Sequence, residues 1–537
     1  MAIQAGWKWL KSGANRQLTA ILLAGLLLRG AIAYWLPPGF DEAYYYLYTR
    51  HLNWSYFDHP LMVSFTTGIG PWLTGQVSQF TIRLGPLLLY TAALWLLYRT
   101  SRQLFSRQAG LLTVAIASLV PIFFMGFGVL TLPDSPLIFF WSAALLVSSL
   151  EFFPDKNAIY QPTSRLALIG LLVGLACLSK YHGAILGAGL VGFCLFSPPH
   201  RAALRSPWML AAVGLFLLAI SPILIWNSQH DWVSLRYQSS RAVPEGGYRL
   251  LELLGVFGAG VAYLFPSFGL PLWWVSLKTL KQQLTDLLQG NHLQAFSSQA
   301  SLILWVSLPL MLGFTLLGGY RPVLPTWPAP GFWGATILLG ATVAQRQSQS
   351  PRLIRRWLWG SGFMIVTLLL IALLHLRVGL FQQPGRYSLF GGSIPVNTDA
   401  STQLIDIHQL RQGLAASAPV QSAVQQAAFV FTNELFLAGQ VGMAIAPLTH
   451  LPITTLDQDL RGFAFWSTAD QWVGQNGLYI FSQARLGDRQ PLQPYGDYFQ
   501  TLEPVTAIPL YRGGVAIDEI QVYLAKKLLK PFPRPYG

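Results

Sequence analysis

Long apolar runs recur along the first 376 residues of this 537-residue chain. A helix needs roughly 20 mainly apolar residues to cross a lipid bilayer, and the chain supplies about eleven runs of this kind. Only 10% of the residues are charged and 53% are hydrophobic, which excludes a single soluble domain. The pattern predicts an α-helical polytopic membrane protein, with about eleven transmembrane helices centred near Leu27, Trp95, Leu119, Leu145, Leu172, Leu190, Leu218, Val261, Leu308, Ile337 and Thr367.

Basic residues flank alternate ends of these predicted helices. Such clusters include Arg99, Arg102 and Arg107, then Arg201 and Arg205, and finally Arg346, Arg352, Arg355 and Arg356. Because cytoplasmic connections retain Lys and Arg during insertion, these ends are predicted to be cytoplasmic. The net charge of +14 therefore needs no nucleic-acid partner. The opposite ends, including a first outer loop at residues 37–80, are predicted to share one non-cytoplasmic face.

The pattern changes near residue 377, where the long apolar runs stop. Shorter runs, "AAFVFTN", "LPITTL", "GFAFW", "GLYIF" and "EIQVYL", are typical of strands. Ser401 to Ala416 and Glu434 to Ala446 are predicted to be helical. We therefore expect a transmembrane catalytic domain at residues 1–376 and a small extracytoplasmic α/β domain at residues 377–537. The two cysteines, Cys177 and Cys194, are expected to be free thiols at different depths.

Two adjacent acids, Asp41 and Glu42, follow the first run in "GFDEAYYYLY". Carboxylates at a membrane boundary are costly unless they are hydrated, paired or used. Helical neighbours point about 100° apart, so we expect one acid to face a cavity and the other a structural partner. An alternative is a hydrated loop in which Asp41 caps a helix. The tyrosines are expected to wall a sugar site or to anchor the loop at the interface.

Two further motifs lie at the same predicted face. In "SYFDHP", His59 is held extended by the following proline and could contact an anion, or it could only pack and hydrogen-bond. In "TLPDSPL", Asp134 either caps a helix or takes part in chemistry with Asp41.

Four cationic residues complete the set of candidates. Lys180 lies in the tight turn of "CLSKYHGA" and could neutralise a phosphate or reach lipid headgroups. His230 and Arg236, in "IWNSQHDWVSLRYQ", form a basic patch with nearby Arg241 on the side that the positive-inside rule disfavours. Arg321, in "YRPVLPTWPAP", could bind phosphate or anchor the chain at the interface.

The sequence lacks several well-known catalytic patterns. It has no CxxC pair, HExxH helix, P-loop or GxSxG elbow, so zinc-protease, Walker-type and serine-hydrolase functions lack support. No cofactor is predicted with certainty, although two carboxylates could hold a divalent metal ion.

In order along the chain, "DEAYYYLYTRHLNWSYFDHP", "LPDSPL", "LSKYHG", "WNSQHDWVSLRYQ" and "PTWPAP" resemble motifs of a known family. It is the bacterial branch of the dolichyl-phosphate-mannose protein mannosyltransferases, glycosyltransferase family 39. The chain is also similar to the lipid A aminoarabinose transferases, and all belong to the GT-C superfamily. The resemblance covers about Leu18 to Leu376. A lysine in the aminoarabinose transferases corresponds to His59 here, which argues against the aminoarabinose substrate.

The resemblance implies transfer of a sugar from a polyprenyl-phosphate donor to a protein, lipid or glycan acceptor at the outer face of the bacterial inner membrane, usually with inversion. Asp41 would be the base, Glu42 lies beside it, and Asp134 would orient the acceptor or tune Asp41. Donor phosphate-binding residues would be Lys180, His59, His230, Arg236 and Arg321. Membrane lipids would surround the helices, and the C-terminal domain would cover the site or select the acceptor.

Two other classes of function compete with this one. A transporter or flippase also has many spans and intramembrane charges, but it places polar groups near the bilayer midplane. A noncatalytic scaffold gives no reason for Asp41, Asp134 and Lys180 to meet at one face.

Overall fold

The computed structural model describes residues 13–154, 159–241, 243, 246–291, 298–486 and 490–534. Helices dominate the chain as far as residue 378, and every predicted span centre lies in one of them. In chain order they are α1 Gly13–Trp35, α2 Phe40–Tyr48, α3 Met62–Thr74, α4 Leu84–Leu104, α5 Arg107–Leu119, α6 Asp134–Phe152, α7 Arg165–Ser179, α8 Gly183–Phe196, α9 Pro207–Gln229, α10 Val233–Ser240, α11 Leu250–Tyr263, α12 Pro266–Leu288, α13 Gln299–Leu317, α14 Ala329–Gln349 and α15 Pro351–Val378.

Six helices in the described part of the chain are long and apolar enough to cross a bilayer, namely α1, α4, α6, α9, α13 and α15. The number rises to eight if each of two bent pairs is one span. One pair joins α8 to the 3₁₀ segment Pro198–Arg205 with a bend of 118°, and the other joins α11 to α12 with a bend of 114°. A proline begins the second half of each pair, where it cannot continue the preceding helix. The exact number of about eleven spans stays a prediction.

The chain forms two compact units. The first contains the described residues of Met1–Gly30, His59–Met62 and Pro86–Val366, and the second contains those of Ala31–Asp58, Val63–Gly85 and Thr367–Gly537. Most of the predicted first outer loop therefore clusters with the C-terminal residues, and it contains two helices, α2 and α3. The domain boundary after residue 376 stays a prediction.

Small residues allow two helices of the first unit to approach closely. Gly170 in α7 faces the backbone of Ala212 in α9, and a Cβ atom at Gly170 would lie 2.1 Å from the Ala212 carbonyl oxygen. One turn later, a Cβ atom at Gly174 would lie 2.6 Å from the Cβ atom of Ala219. Because helices in membranes associate through close packing of small side chains, this contact fixes the course of α7 up to its end, where Lys180 follows.

A five-stranded mixed sheet forms much of the second unit, in the order β4-β3-β5-β7-β6. A short parallel pair, β1 Gln382–Gln383 and β2 Ile394–Pro395, precedes it. The five strands are β3 Phe429–Thr432, β4 Ile453–Thr455, β5 Gly477–Ser482, β6 Phe499–Arg512 and β7 Val515–Leu528. The first three strands of the order are parallel, and β7 pairs antiparallel with β5 and β6. Residues of β3 and β5 are buried throughout, so these strands form the centre of the sheet.

The predicted α/β composition of the C-terminal region is confirmed. Its helices are α16 Ile407–Ala416, α17 Ala418–Gln426, α18 Leu435–Ile445 and α19 Phe463–Trp466. Four of the five predicted strands are present, whereas "GFAFW" was wrongly predicted to be a strand and forms the short helix α19. The long strand β6 was not predicted. Many of its residues are exposed and it contains Pro504 and Pro509, so its sequence lacks the clear alternation of apolar and polar residues that marks a strand.

Candidate functional site

The two adjacent acids take different positions at the start of α2. Gly39 is the N-cap residue, so Asp41 is the second residue of the helix and not its cap. Asp41 is exposed, whereas Glu42 is 1% exposed. Both carboxylates lie at the positive end of the helix dipole, which favours negative charge. The two acids therefore differ in exposure, whereas the expectation that one of them faces a cavity stays a prediction.

The structural partner of Glu42 is Arg83. Its Nε donates to Glu42 Oε1 at 2.8 Å and its Nη2 donates to Glu42 Oε2 at 2.6 Å. The remaining guanidinium bonds go to backbone carbonyls of Ala33, Leu36 and Pro37 at 2.6–3.0 Å. Glu42 Oε2 also accepts the N–H of Gly39 at 2.8 Å. All five N–H donors of the guanidinium are therefore used, and this bonding occupies Glu42, which argues against a catalytic role for it.

The tyrosines of α2 are part of a packed core, whereas the two expected roles, walling a sugar site or anchoring the loop at the interface, stay predictions. Tyr44, Tyr45, Tyr46 and Tyr48 are at most 3% exposed. The helix packs against α18, where a Cβ at Gly439 would lie 2.6 Å from the amide nitrogen of Tyr44. Only glycine allows the two helices to come this close, so α2 is rigidly attached to the sheet domain.

A buried acid, Asp58, holds the other end of this core. It accepts hydrogen bonds from the hydroxyls of Tyr48 and Tyr44, and it lies 3.6 Å from Arg461. Burial raises the pKa of Asp58, and Arg461 and the two tyrosine hydroxyls oppose this rise. Tyr44 also accepts the N–H of Gly462 at 2.9 Å. These contacts make Asp58 part of the tyrosine core.

In the first unit, Asp134 and Lys180 form a buried ion pair. Lys180 Nζ lies 2.9 Å from both carboxylate oxygens of Asp134, and the residues are 7% and 4% exposed. Asp134 begins α6, and the next residue, Ser135, donates to the carbonyls of Phe127 and Leu130 at 2.9 and 3.2 Å. Lys180 is the C-cap of α7. Two helix ends therefore fix this ion pair. The sequence predicted Asp134 and Lys180 as separate candidates and did not predict that they pair.

More positive charge surrounds this pair at the turn between α7 and α8. Burial lowers the pKa of His182 well below its usual value, and the charges of Lys180, His59 and Arg241 lower it further. The imidazole ring stacks on Phe314 with centroids 5.1 Å apart. Its buried Nε2 has no hydrogen-bond partner among the described residues. A lowered pKa keeps the His182 imidazole neutral, so the positive charges at this turn are those of Lys180, His59 and Arg241, which we call the cation cluster.

Two further contacts position the cation cluster. The hydroxyl of Tyr181 lies 2.8 Å from Ser234 Oγ, which ties the turn to α10. The guanidinium of Arg241 lies over the ring of Trp327, 4.8 Å from its centroid. This cation–π contact holds the guanidinium of Arg241 beside Trp327, which lies just before the start of α14.

The other three predicted cations have different surroundings. His230 donates from Nδ1 to the carbonyl of Trp226 at 2.7 Å and stacks on the Trp226 ring. Arg321 donates from Nη1 to the carbonyls of Ser240 and Val243 at 2.7 and 3.2 Å. Arg236 is exposed. Arg321 therefore supports the chain that carries Arg241, and His230 closes the end of α9.

The structure thus brings Asp134, Lys180 and His59 into one unit and places Asp41 and Glu42 in the other. Two important residues were not selected from the sequence, Arg83 and His182. Arg83 stands alone in an apolar run, so its neighbours in the sequence do not show whether it binds a buried carboxylate or lies at the membrane boundary. His182 lies two residues from Lys180, and this spacing was the available signal.

Residues 58–226 match the family model described as dolichyl-phosphate-mannose-protein mannosyltransferase. The lipid A galacturonosyltransferase RgtD of Rhizobium johnstonii is 27% identical over 311 residues, which cover 56% of this chain and 59% of RgtD. The match therefore spans less than two thirds of that relative. The structure of ArnT from Cupriavidus metallidurans bound to undecaprenyl phosphate superposes with a TM-score of 0.59 and 15% identity, over 94% of this chain and 97% of ArnT. The chain is therefore similar in sequence to RgtD and similar in fold to ArnT.

The apo state of the same ArnT superposes with a TM-score of 0.57 over the same shares of both chains. The predicted GT-C fold class is confirmed: the chain is a helical membrane protein with a small C-terminal sheet domain. Its relatives are glycosyltransferases, so a transporter or flippase is not favoured. Among the described residues, no group of three or more His, Cys, Asp or Glu could hold a metal ion. A divalent metal ion stays a prediction.

Proposed function

We propose that this chain is a GT-C glycosyltransferase of the bacterial inner membrane, which moves a sugar from a polyprenyl-phosphate donor to an acceptor at the non-cytoplasmic face, with inversion. The observation that carries the proposal is the cation cluster around Lys180 in the first unit. Within that cluster, Lys180 forms an ion pair with Asp134. A bound phosphate would add negative charge beside these cations.

The donor phosphate would bind to the cation cluster as a counter-ion. When the sugar leaves, the polyprenyl phosphate takes the electrons of the broken C1–O bond and gains negative charge. Lys180, Arg241 and His59 would stabilise that charge, because preorganised cations lower the energy of a developing anion without rearranging. His182, whose pKa is lowered, would donate a neutral hydrogen bond or become charged when the phosphate arrives. His230, Arg236 and Arg321 would support the donor side less directly.

The acceptor hydroxyl would be activated by Asp41. The carboxylate takes the hydroxyl proton while the acceptor oxygen attacks C1 of the sugar on the face opposite the phosphate, which inverts the anomeric centre. Asp41 is exposed at the start of a helix that the bonds of Glu42 to Arg83 hold rigidly. Glu42 is therefore proposed as a positioning residue. Asp134 would orient Lys180.

The name of the relative RgtD suggests which substrates to test first. RgtD is a lipid A galacturonosyltransferase, so a hexuronic acid on undecaprenyl phosphate and a lipid A acceptor are the first choice. Protein and glycan acceptors form the second panel. The undecaprenyl phosphate in the ArnT structure supports the choice of carrier.

The deciding experiment measures transfer by purified protein from labelled undecaprenyl-phosphate sugars. We expect Asp41→Asn to lower kcat by roughly 10²–10⁴-fold, the usual contribution of a general base. Asp497→Asn, which changes another exposed acid of the second unit, is the matched control and should retain full transfer. NMR of the product should show the anomeric configuration opposite to that of the donor.

Three results would contradict parts of the proposal. Equal transfer by Asp41→Asn and the native protein would remove Asp41 as the base. Absence of transfer from every lipid-linked donor would remove the enzyme assignment. A reporter fused after Gly537 that proved cytoplasmic would overturn the assignment of the C-terminal domain to the outer face.

A further inference from the structure

A second charged region lies at the junction of α14 and α15, outside the candidate site. A groove of about 430 Å³ opens between the end of α14 and the start of α15. Its lining includes Arg352, Arg355, Gln347 and Trp359. Both arginines are exposed, and Trp359 is 76% exposed. The groove therefore combines cationic side chains with an indole ring.

The groove continues into an apolar strip along the same helix. Arg352, Arg355 and Trp359 follow the spacing i, i+3, i+7, which places them on one face of α15. Phe363 and Val366 continue this face and are 76% and 41% exposed. At a rise of about 1.5 Å per residue, the strip from Arg352 to Val366 is roughly 21 Å long. One face of α15 thus offers a charged end and an apolar track, which matches an amphiphile and not a soluble anion.

The positive charge of the groove is not neutralised by nearby acids. Among the described residues, neither Arg352 nor Arg355 forms an ion pair with a carboxylate. Arg346, in the last turn of α14, lies over the ring of Trp274, and Lys278 lies near the same ring. These residues extend the cationic surface to α12. By the positive-inside rule this end of the helices faces the cytoplasm, where the membrane surface carries anionic lipid.

The groove is distant from the cation cluster within the same unit. Trp327, which contacts Arg241, lies just before α14, and the groove lies at the other end of this 21-residue helix. A helix of that length spans about 30 Å. A ligand of the groove therefore cannot share its phosphate with Lys180.

We propose that the groove between α14 and α15 binds an anionic phospholipid, with its phosphate between Arg352 and Arg355 and an acyl chain along Trp359, Phe363 and Val366. Guanidinium groups bind phosphate oxygens through paired hydrogen bonds. The indole of Trp359 lies where the headgroup meets the acyl chain, a position that tryptophan favours in membranes. The bound lipid anchors the start of the last helix at the cytoplasmic leaflet. This site is independent of the proposed transfer reaction.

The test is native mass spectrometry of the full-length protein titrated with phosphatidylglycerol, with phosphatidylcholine and inorganic phosphate as separate arms. The double variant Arg352→Gln, Arg355→Gln should bind phosphatidylglycerol about 30-fold more weakly at its tightest site, because each basic contact contributes roughly fivefold. The matched control, Arg99→Gln with Arg102→Gln, removes two exposed helical arginines at the same spacing but outside the groove. It should bind like the native protein.

Each outcome decides the proposal. If both double variants lost the same amount of phosphatidylglycerol affinity, the lipid would be attracted to basic helix ends in general. If the native protein bound phosphatidylcholine as tightly as phosphatidylglycerol, the groove would not select for charge. Either result overturns the proposal. Displacement of phosphatidylglycerol by millimolar phosphate would assign the groove to a soluble anion. The groove variant should keep the native thermal midpoint and the native rate of sugar transfer, and loss of transfer together with lipid would mean that the groove serves the donor.

Discussion

The sharpest test of the structure is the replacement of Glu42 by glutamine. This change removes one negative charge and adds two N–H donors where two oxygens now accept three hydrogen bonds. Arg83 is 0% exposed and would stay in place as a buried cation without a counter-ion. We therefore expect the second unit to lose stability, although Glu42→Gln hardly changes the size of the side chain.

The magnitude follows from the environment of the pair. Breaking a buried ion pair by removing one partner costs about 3–5 kcal/mol, because the remaining charge is uncompensated. Arg83 would keep its bonds to three carbonyls, so the lower half of that range is expected. For a unit of roughly 200 residues, about 3 kcal/mol corresponds to a fall of about 6–12 °C in the thermal midpoint.

The assay is thermal unfolding of the purified protein in lipid nanodiscs, followed by the near-UV signal of the tyrosine core. Asp41→Asn is the matched control, since it makes the same chemical change at the neighbouring exposed position and should shift the midpoint by less than about 2 °C. Glu42→Leu combined with Arg83→Leu should lose less stability than the sum of the two single changes. If Glu42→Gln and Asp41→Asn unfolded at the same temperature, the assignment of structural and outward-facing acids would be wrong.

Three further predictions concern the site and its support. Lys180→Met should raise KM for the lipid donor and lower kcat at least tenfold, whereas Lys180→Arg should retain part of the activity. Equal kinetics for the two variants would show that the positive charge of residue 180 does not contribute to transfer. Arg321→Gln should raise KM for the donor with little effect on kcat, because Arg321 holds the backbone near Arg241; an unchanged KM would contradict this. His51 stacks on Trp466 with centroids 4.6 Å apart, and burial lowers its pKa to about 4. In the unfolded chain His51 binds a proton near pH 6.5, whereas in the folded protein it does so only near pH 4. The free energy of unfolding should therefore fall as the pH drops from about 6.5 towards 4, by up to roughly 3 kcal/mol. If the His51→Phe variant lost stability over this pH range as the native protein does, His51 would not be the cause.

The sequence predicted the helical membrane class well because the signal for it is local. Each apolar run reports its own preference for a bilayer, and all of the predicted centres lie in helices. The number of spans was harder, since bends at Pro198 and Pro266 depend on how neighbouring helices pack. The same limit explains α19, where "GFAFW" has the composition of a strand but packs as a single turn of helix against Tyr44.

The candidate site was predictable as a set of residues but not as a set of partners. Asp134 and Lys180 were both selected, yet nothing in two motifs 46 residues apart says that they share an ion pair. Similarly, the partner of Glu42 lies 41 residues away, as an isolated arginine at the start of an apolar run. Pairings of this kind depend on which helix ends meet, and that is decided by packing between helices.

Charged residues in a membrane protein need partners, so a partner alone does not separate structural from chemical roles. What separates them is whether the local charge is balanced. Glu42 and Arg83 form a closed pair, in which every guanidinium donor is used and no charge is left over. Asp134 neutralises Lys180, and the charges of Arg241 and His59 also act on this turn. Positive charge gathered in this way attracts a ligand of the opposite sign, and a lipid-linked phosphate has that sign.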